Sequence, residues 1–352
     1  MSINIVCHMD NKYQIKHNET YEIEKGIDKM KALVVEKFGE NAEIVLETRD
    51  KPTPNQGEAL VRIYAAALNP LDLTVKSDHL SFAKNPPLVL GNEGAGVVEY
   101  SSKFPKGSKV IIQGGVLGVS KDGTHQELMV VPENQLVPLP KNFSFEEGAA
   151  LSVAYLTAYL ALTYSGEIQK DEWVAVAGAT GSVGYAALQL AKALGAKPIA
   201  IVSSNEKAKQ ASTAQPEAII NLSQEEIVQG INRATNGRGI NLALDPVGGN
   251  GTNLLLHSLA QAGRVVSIGY AAGMETTINI MDLLAKATKL IGFSIYAIPE
   301  EVIQSAFQHI IQLAEEGKIR PVIDSTFPLE QWSQAFSRLT SRKAIGKIIF
   351  TI

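Results

Sequence analysis

One segment of the 352-residue chain has the residue types and spacing that bind a dinucleotide. In WVAVAGATGSVGYAALQLAKALGA an apolar strand enters a glycine-rich turn and then a helix, and the glycine positions of the G-x-G-x-x-G fingerprint hold Ala179, Gly181 and Gly184. Gly181 would let the backbone approach a pyrophosphate, and Gly184 would let helix and strand pack closely. Free N–H groups at the helix start would bind phosphate beside the Thr180 and Ser182 hydroxyls. The alternative is a tight turn alone, but the strand–turn–helix context favours dinucleotide binding.

The end of the next strand indicates which dinucleotide binds. A site for NAD places Asp or Glu about 20 residues beyond the glycines, where it accepts hydrogen bonds from the ribose. Here the strand in IVSSNEKAK ends on Ser203 and Ser204, and Lys207 follows. A carboxylate would repel the 2′-phosphate of NADPH, whereas hydroxyls and a lysine accept it. The sequence therefore favours NADPH over NADH, and a solvated helix face is the alternative role of Lys207.

Composition excludes several other chemistries. The chain is 45% apolar and 19% charged, which is typical of globular proteins. A net charge of −4 leaves no field that attracts nucleic acid or anionic lipid, so we expect neither nucleic acid nor membrane as a partner. The single cysteine, Cys7, cannot make an internal disulfide, an iron–sulfur site or a Cys₄ zinc site. We therefore predict a reducing compartment and a cytoplasmic location.

The elements that position these residues differ along the chain. Between Met30 and residue 150, short strands separated by Gly, Pro and Asn predict a barrel-like or sandwich β-domain. From residue 155, strands alternate with helices, including the predicted helices LSQEEIVQGINRAT and NLLLHSLAQAG. This alternation predicts a doubly wound parallel sheet. After Pro299 a helix leads to a last strand, GKIIFTI.

Two further segments of the sequence each allow two interpretations. The longest charge-free stretch, Gly148–Gly166, contains Ser and Thr and is flanked by Glu147 and Glu167. We interpret it as a buried helix between domains and not as a membrane span. Residues 1–29 lack the apolar region of a secretory signal. They are either an additional element or an over-long start.

Eight ordered segments carry a resemblance to a known family. They resemble the zinc-independent quinone oxidoreductases (NADPH:quinone reductases) of the medium-chain dehydrogenase/reductase superfamily over residues 30–352. The segments are ALNPLDL (67–73), GNEGAGVV (91–98), SVAYLTAYLAL (152–162), AGATGSVG (177–184), DPVGG (245–249), SIGYAAG (267–273), KLIGFS (289–294) and GKIIF (346–350).

The resemblance implies an α/β protein in which a Rossmann doubly wound parallel sheet is inserted into a GroES-like, mostly-β catalytic domain. The expected divisions are an extension (1–29), the catalytic domain (30–155 plus 299–352) and the dinucleotide-binding domain (156–298). NADPH would bind in the cleft between the two domains. A homodimer is expected because the family is commonly dimeric.

The same resemblance assigns residues to the cleft. Asn69 and its loop would line the active site, Lys207 would bind the 2′-phosphate, and Lys347 would reach the cofactor. Thr157 would lie near the nicotinamide amide. Together with the residues derived above, the predicted cofactor site comprises Thr157, Thr180, Gly181, Ser182, Val183, Gly184, Ser203, Ser204, Lys207, Asn221, Val247, Gly269, Tyr270, Ala271, Phe293, Ser294 and Lys347.

The chain departs from zinc-containing relatives where they bind the metal. Those enzymes have a cysteine early in the barrel domain where this chain has NPLDL, and Gly-His-Glu where it has Gly91, Asn92 and Glu93. Asparagine is a poor zinc ligand, and no histidine is placed to substitute. We therefore expect no metal. The tyrosine that many family members carry soon after the NPxD motif is also missing.

Chemistry without a Lewis acid suits an electrophile that needs little activation. Quinones and α,β-unsaturated carbonyls qualify, because conjugation spreads the added charge. We predict Asn69 as a polar orienting group and Tyr270 as a contact to the substrate, with the proton taken from solvent. The alternatives are a turn-forming Asn-Pro element for Asn69 and ordinary packing for Tyr270. His125 is expected in a surface loop, and Asp245 is expected to support the backbone near the cofactor.

Three functions are therefore open. The favoured one is an NADPH-dependent, zinc-independent reductase that transfers hydride to a small-molecule quinone or enone. A trans-2-enoyl-thioester reductase is the second, although the missing tyrosine argues against it. The third is an NADPH-binding redox sensor or structural protein with little turnover, because it would need the same phosphate-loop residues.

Overall fold

The protein is described by a computed structural model that covers residues 29–39, 41–80 and 83–352. The predicted extension, with Cys7, lies outside the described residues except for Lys29. The strands are β1 (Lys29–Lys37), β2 (Glu43–Asp50), β3 (Glu58–Leu68), β4 (Leu88–Val89), β5 (Gly94–Tyr100), β6 (Lys109–Ile112), β7 (Leu128–Pro132), β8 (Leu136–Pro138), β9 (Trp173–Val176), β10 (Lys197–Val202), β11 (Ala218–Asn221), β12 (Ile240–Asp245), β13 (Leu259–Ser267), β14 (Lys289–Gly292), β15 (Ile323–Pro328) and β16 (Lys347–Thr351). The α-helices are α1 (Pro70–Lys76), α2 (Phe145–Leu160), α3 (Ser182–Ala193), α4 (Asn205–Ser212), α5 (Ile227–Thr235), α6 (Asn250–His257), α7 (Ile280–Leu284), α8 (Glu300–Glu315) and α9 (Trp332–Thr340).

The first and last parts of the chain share one sheet. Its strand order is β15-β16-β3-β5-β6-β8, with β7 paired to β3, and a smaller sheet has the order β2-β1-β4. Strand β16 runs antiparallel to β3 with Ile348 opposite Leu68, so the last strand completes the sheet that the first strands begin. The mostly-β architecture is confirmed. Its strands come from the parts of the chain before and after the strands of the parallel sheet.

The middle of the chain forms a six-stranded sheet in the order β11-β10-β9-β12-β13-β14. All five neighbouring pairs are parallel, as expected when helices connect successive strands. The order reverses between β9 and β12, and the glycine-rich turn follows β9 at this point. In doubly wound sheets the ligand crevice lies at such a reversal. The predicted α/β fold class is thus confirmed.

Helix α2 occupies most of the apolar stretch that the sequence singled out. Ser144 begins it with a capping box, because its hydroxyl accepts from Glu147 N at 3.2 Å while the Glu147 carboxylate accepts from Ser144 N at 2.9 Å. The helix contacts β3, β5 and β6 of the mostly-β part and also α3 and α8, so the predicted buried helix is confirmed. Across the described residues, no helix has both the length and the apolarity to cross a bilayer.

Two helices are shorter than predicted. The helix expected over NLLLHSLAQAG ends at His257, because Leu259 pairs with Ile240 and begins β13 instead. The helix expected over LSQEEIVQGINRAT begins only at Ile227, since the side chain of Asn221 accepts hydrogen bonds from the backbone and hydroxyl of Ser223 and forms a turn there. In the first case pairing with a distant strand outweighed helix propensity, and in the second a local side-chain turn did.

Candidate functional site

The glycine-rich turn after β9 packs tightly on one side and is open on the other. A Cβ atom added at Gly184 would lie 2.3 Å from the carbonyl oxygen of Gly178 and 2.9 Å from the Cα of Ala179. Only glycine fits at this position, as the sequence predicted for close packing. At Gly181 the nearest heavy atom to an added Cβ is 3.4 Å away, so a ligand can approach the backbone.

Helix α3 begins at this turn without a side-chain cap. Gly181 is the N-cap residue, and no side chain accepts from the first-turn N–H groups of Ser182, Val183 and Gly184. Ser144 caps α2 and Ser204 caps α4, whereas α5, α6, α8 and α9 also begin without a side-chain cap. Uncapped N–H groups beside an open glycine face are the arrangement that binds the pyrophosphate of a dinucleotide. The residues present therefore fit the cofactor that the sequence predicts.

The residues predicted to select NADPH follow β10. Ser203 is exposed, and the Ser204 hydroxyl accepts from Lys207 N at 3.3 Å. Lys207 Nζ donates to the carbonyl oxygen of Arg342 at 3.2 Å, so the loop before β16 meets α4 here. The Asn221 amide is occupied by protein, since it donates to Asn205 Oδ1 at 2.6 Å and accepts from Ser223.

The turn after β12 is held by the buried Asp245 carboxylate, and the turn after β13 is bound by the Asp245 backbone carbonyl, which accepts from Ile268 N at 2.8 Å. Asp245 Oδ1 accepts from the N–H groups of Val247 (3.0 Å) and Gly248 (2.9 Å), and its Oδ2 accepts from Thr252 Oγ1 at 2.6 Å. This matches the prediction that Asp245 supports the backbone. A Cβ at Gly178 would lie 2.8 Å from Val247 Cγ2. Val247 therefore lies directly against the glycine-rich turn over residues 178–184, which is called the phosphate turn below.

Tyr270 reaches across to the mostly-β part. Gly269 packs against Pro246, because an added Cβ would lie 2.7 Å from the Pro246 carbonyl oxygen. Tyr270 itself is exposed, and its hydroxyl lies 3.4 Å from Thr74 Oγ1 on α1. Helix α1 begins directly after Asn69. Tyr270 therefore stands on the opposite side of the cleft from the Asn69 loop.

The loop that carries Asn69 is anchored by a buried carboxylate. Asp72 Oδ2 accepts from Asn69 N at 2.7 Å, and Asp72 Oδ1 accepts from Gly91 N at 2.9 Å. Burial raises the pKa of the Asp72 carboxyl, while the neighbouring His125 and the two N–H donors oppose this rise. These hydrogen bonds fix Asn69 beside the segment that contains Gly91, Asn92 and Glu93.

Asn69 and Lys347 belong to one buried polar network. Lys347 Nζ lies 2.5 Å from Glu93 Oε1 and 2.5 Å from Asn69 Oδ1. Asn69 Nδ2 in turn donates to Asn92 Oδ1 at 2.8 Å and to Glu93 Oε1 at 2.9 Å. The second Glu93 oxygen accepts from Val153 N on α2 at 2.6 Å. Each polar atom of the Asn69 side chain is thus used within the protein.

The network adjoins the phosphate turn. Gly346, immediately before Lys347, donates its N–H to the carbonyl oxygen of Thr180 at 2.9 Å and forms a β-bridge with Gly181. A Cβ at Gly346 would lie 2.2 Å from the Val322 carbonyl oxygen, so glycine is needed where the chain passes Val322. Lys347 is therefore held by Glu93 close to the phosphate turn, and its contact with the cofactor remains a prediction.

His125 corrects an expectation. The sequence DGTHQEL was predicted to be a surface loop, but the imidazole is fully buried and its edge packs on the Phe350 ring at a centroid distance of 4.8 Å. His125 Nε2 lies 3.1 Å from the carbonyl oxygen of Ala67, and Nδ1 has no partner in the part of the chain that the structure describes. Burial lowers the pKa of the imidazole, and the nearby Asp72 carboxyl opposes this. Backbone bonds to Leu90 and Leu33 pull this polar segment inward.

Several predicted residues lie away from the polar network. Thr157 is half-buried on α2, Ala271 is exposed, and Phe293 and Ser294 follow β14. The Phe293 N–H donates to the carbonyl oxygen of Ser267 at 2.9 Å. These four remain predictions as cofactor contacts.

Sequence reasoning missed Asn92, Glu93 and Asp72 as members of the site. The first two were used only as evidence against a zinc site, although two polar residues amid glycines and alanines in GNEGAG were a usable signal.

Within residues 29–39, 41–80 and 83–352, no group of three or more His, Cys, Asp and Glu side chains is arranged to hold a metal ion.

Comparison with known families places both parts of the chain. Residues 55–141 match the alcohol dehydrogenase GroES-like domain, and residues 182–316 match the zinc-binding dehydrogenase family. A solved quinone oxidoreductase from Pseudomonas syringae is 30% identical, with a TM-score of 0.80 over 92% of this chain and 100% of that one. A solved NAD-dependent alcohol dehydrogenase is 28% identical, with a TM-score of 0.82 over 92% and 99%.

Two curated proteins are similar over most of their length. Quinone oxidoreductase from Rattus norvegicus is 30% identical over 92% of this chain and 98% of that protein. The synaptic vesicle membrane protein VAT-1 homolog from Danio rerio is 31% identical over 91% of this chain and 70% of that protein. The strand order, the dinucleotide turn and these similarities agree with the resemblance that the motifs carried. The chain belongs to the quinone oxidoreductase family of the medium-chain dehydrogenase/reductase superfamily, and it is an oxidoreductase of Rossmann type that uses a nicotinamide cofactor.

Proposed function

We propose that the protein is an NADPH-dependent, zinc-independent reductase of quinones or α,β-unsaturated carbonyl compounds. The observation that carries this proposal is the buried Lys347 ammonium between Glu93 and Asn69, beside the phosphate turn. A metal site needs anionic or neutral donors free to face the ion. Here the Glu93 carboxylate is already neutralised by Lys347, and an ammonium would repel a divalent cation.

Binding of NADPH is assigned to groups from both parts of the chain. The pyrophosphate would lie on the N–H groups of Ser182 and Val183, with the open side of Gly181 facing it. Lys207 would bind the 2′-phosphate, with Ser203 beside it. Arg342 lies at the same place, because its carbonyl oxygen accepts from Lys207, and its exposed side chain adds a second positive charge.

Catalysis is assigned to position and electrostatics. When bound, NADPH supplies a hydride to the conjugated system. The polar network of Lys347, Glu93 and Asn69 supplies fixed hydrogen-bond dipoles beside the cleft, which stabilise the negative charge that develops on the carbonyl oxygen. Tyr270 and the α1 loop close the cleft from opposite sides through the approach of Tyr270 to Thr74. The proton that completes the reduction comes from solvent, because no tyrosine follows the NPxD motif.

A substrate panel tests this function. Purified protein is assayed for oxidation of NADPH and NADH with 1,4-benzoquinone, 9,10-phenanthrenequinone, cyclohex-2-enone and crotonyl-CoA, each with and without EDTA. We expect NADPH to be preferred, quinones or the simple enone to be reduced, and EDTA to have no effect. Loss of activity with EDTA would contradict the zinc-free mechanism. A preference for crotonyl-CoA would favour the thioester reductase, and NADPH binding without turnover would favour the sensor.

We also propose that the protein is a homodimer. Strand β14 is an edge of the parallel sheet, and unpaired edge strands invite pairing with another chain. Large apolar side chains are exposed beside it on α7 and on β14 itself, namely Ile280, Met281, Leu284 and Leu290. An exposed apolar cluster next to a free strand edge is typical of a protein interface. A second copy of the chain would cover both.

A further inference from the structure

The hydrogen-bond pattern of the buried network fixes which way each asparagine amide faces. An ammonium can only donate and an ionised carboxylate can only accept. Lys347 Nζ therefore identifies the Asn69 atom 2.5 Å away as Oδ1, and Glu93 Oε1 identifies the atom 2.9 Å away as Nδ2. The Asn92 atom 2.8 Å from Asn69 Nδ2 must then be an acceptor, namely Oδ1.

This orientation leaves Asn92 Nδ2 unused. Among the residues that the structure describes, Asn92 Nδ2 donates no hydrogen bond, yet it is not among the atoms sealed from solvent without a partner. The residue as a whole is 4% exposed. A buried amide whose oxygen is bound and whose nitrogen keeps solvent contact can donate to an acceptor on a ligand. Asn69, in contrast, has no donor left, because both of its N–H groups are engaged.

The backbone of Asn92 is held in place by the loop after β6. Gly114 follows β6 next to it, where an added Cβ would lie 2.7 Å from the Asn92 carbonyl oxygen and 3.2 Å from Val153 Cγ2. Only glycine allows this close contact, which fixes the backbone that carries the Asn92 amide. Asn69 donates to Asn92 and accepts from Lys347, whose neighbour Gly346 bonds to the phosphate turn.

We propose that Asn92 Nδ2 donates a hydrogen bond to the carbonyl oxygen of the conjugated substrate, and that Asn69 is a positioning residue that holds the Asn92 amide. The proposal rests on the proposed function, since it assigns the carbonyl a partner in that reaction. It revises the role predicted for Asn69 from substrate contact to support. The hydrogen bonds from Lys347 to Asn69 and from Asn69 to Asn92 polarise the Asn92 amide, which makes its N–H groups better donors.

The proposal predicts a substrate-dependent effect. An enone concentrates the developing negative charge on one oxygen, whereas a quinone spreads it over the ring and is the stronger electrophile. A hydrogen bond to the oxygen therefore matters more for the enone. Removing one such preorganised donor typically lowers kcat by about 10²–10³-fold. A role of Asn92 in folding alone would affect both substrates equally.

The test uses two variants and a control in the full chain. Asn92→Asp keeps the oxygen that accepts from Asn69 and removes the N–H donors, and Asn92→Leu removes them without adding charge. Asn55→Asp changes an exposed asparagine of the same domain as the control. We expect kcat for cyclohex-2-enone to fall about 100-fold in both Asn92 variants, a smaller loss with 1,4-benzoquinone, and an unchanged dissociation constant for NADPH.

A second measurement does not depend on turnover. In the complex with NADP⁺, infrared difference spectroscopy of ¹³C-labelled cyclohex-2-enone should show a carbonyl stretch at lower frequency in the wild type than in Asn92→Leu. Equal losses of kcat for both substrates, or an identical carbonyl frequency in the two proteins, would overturn the role of Asn92. Failure of the wild type to reduce any quinone or enone would instead overturn the proposed function, while the infrared shift would still report on the donor.

Discussion

Lys347 Nζ lies 2.5 Å from Glu93 Oε1, and the two side chains are only 3% and 0% exposed. This ion pair joins the last strand of the chain to the segment before β5, and the same two residues hold Asn69. The pair therefore ties the C-terminal strand, the phosphate turn and the loop that carries Asn69 together.

Breaking this pair should destabilise the protein strongly. Removal of one partner leaves a buried charge without compensation, so Lys347→Met and Glu93→Gln should each lower the free energy of unfolding by about 3–5 kcal/mol. The double variant should lose less than the sum of the two. Lys31→Met is the matched control, because Lys31 pairs with Glu330 at 2.6 Å with both side chains 51% exposed. Urea unfolding measures all four, and a Lys31→Met loss as large as that of Lys347→Met would contradict the argument.

Lys207→Ala should discriminate between the two nicotinamide cofactors. Loss of a charged hydrogen bond to a phosphate costs about 1.5–3 kcal/mol, so the KM for NADPH should rise by about 10- to 150-fold. The KM for NADH should change little, because NADH has no 2′-phosphate. Lys209→Ala, an exposed lysine on the same helix, is the control. Equal changes for both cofactors would remove Lys207 from the site.

The two helical glycines Gly184 and Gly251 should respond oppositely to alanine. At Gly184 the added methyl would meet backbone atoms at 2.3 Å and 2.9 Å, which forces the phosphate turn to shift. We expect Gly184→Ala to lose about 1–3 kcal/mol of stability and to weaken NADPH binding. At Gly251 nothing lies within 4 Å, so alanine should be neutral or slightly stabilising. Thermal unfolding and NADPH fluorescence titration measure the two effects.

Stability should fall on acidification because of His125. Burial lowers the pKa of this imidazole below the ordinary 6.5, so the unfolded chain takes up a proton that the folded chain does not. The free energy of unfolding should therefore decrease as the pH drops through 6.5 toward the folded-state pKa. Asp72 contributes with the opposite sign, because its raised pKa adds stability at low pH that is lost as the pH rises through the folded-state value.

Unfolding of the wild type and of His125→Gln between pH 5.5 and 8 checks this sign. The wild type should show the steeper decline, by up to about 1.4 kcal/mol per pH unit for one proton. His79→Gln, at an exposed site, should keep the wild-type slope. If His125→Gln does not fold, an NMR titration of the wild type replaces it, and a His125 ring that protonates with an ordinary pKa would refute the prediction.

The apolar face beside β14 should control assembly. Met281→Glu combined with Leu284→Glu places two charges on that face, so the dimer should dissociate into monomers. Tyr100→Glu changes an exposed aromatic residue of the other sheet and should leave the dimer intact. Light scattering after size-exclusion chromatography measures the masses. A dimeric Met281→Glu/Leu284→Glu variant, or a monomeric wild type, would contradict the proposed interface.

The amino-acid sequence determined the phosphate turn and the alternation of strands and helices, but not the ends of α5 and α6. The strand, the glycine spacing and the helix after Gly181 are local, and steric rules for glycine and helix starts apply within a few residues. Asp245 was also assigned correctly, because its partners Val247 and Gly248 follow it directly. Fold class followed for the same reason, since alternation of strands and helices is written along the chain.

Only the tertiary structure decided the polar network and the burial of His125. Lys347 is far from Asn69 and Asn92 in sequence. The three side chains meet because β16 pairs with β3, although the strands of the parallel sheet come between them in the chain. We propose Asn92 and not Asn69 as the donor to the substrate because both N–H groups of Asn69 are already engaged. Hydrogen-bond occupancy is a property of packed neighbours, so no local pattern of residues could reveal it.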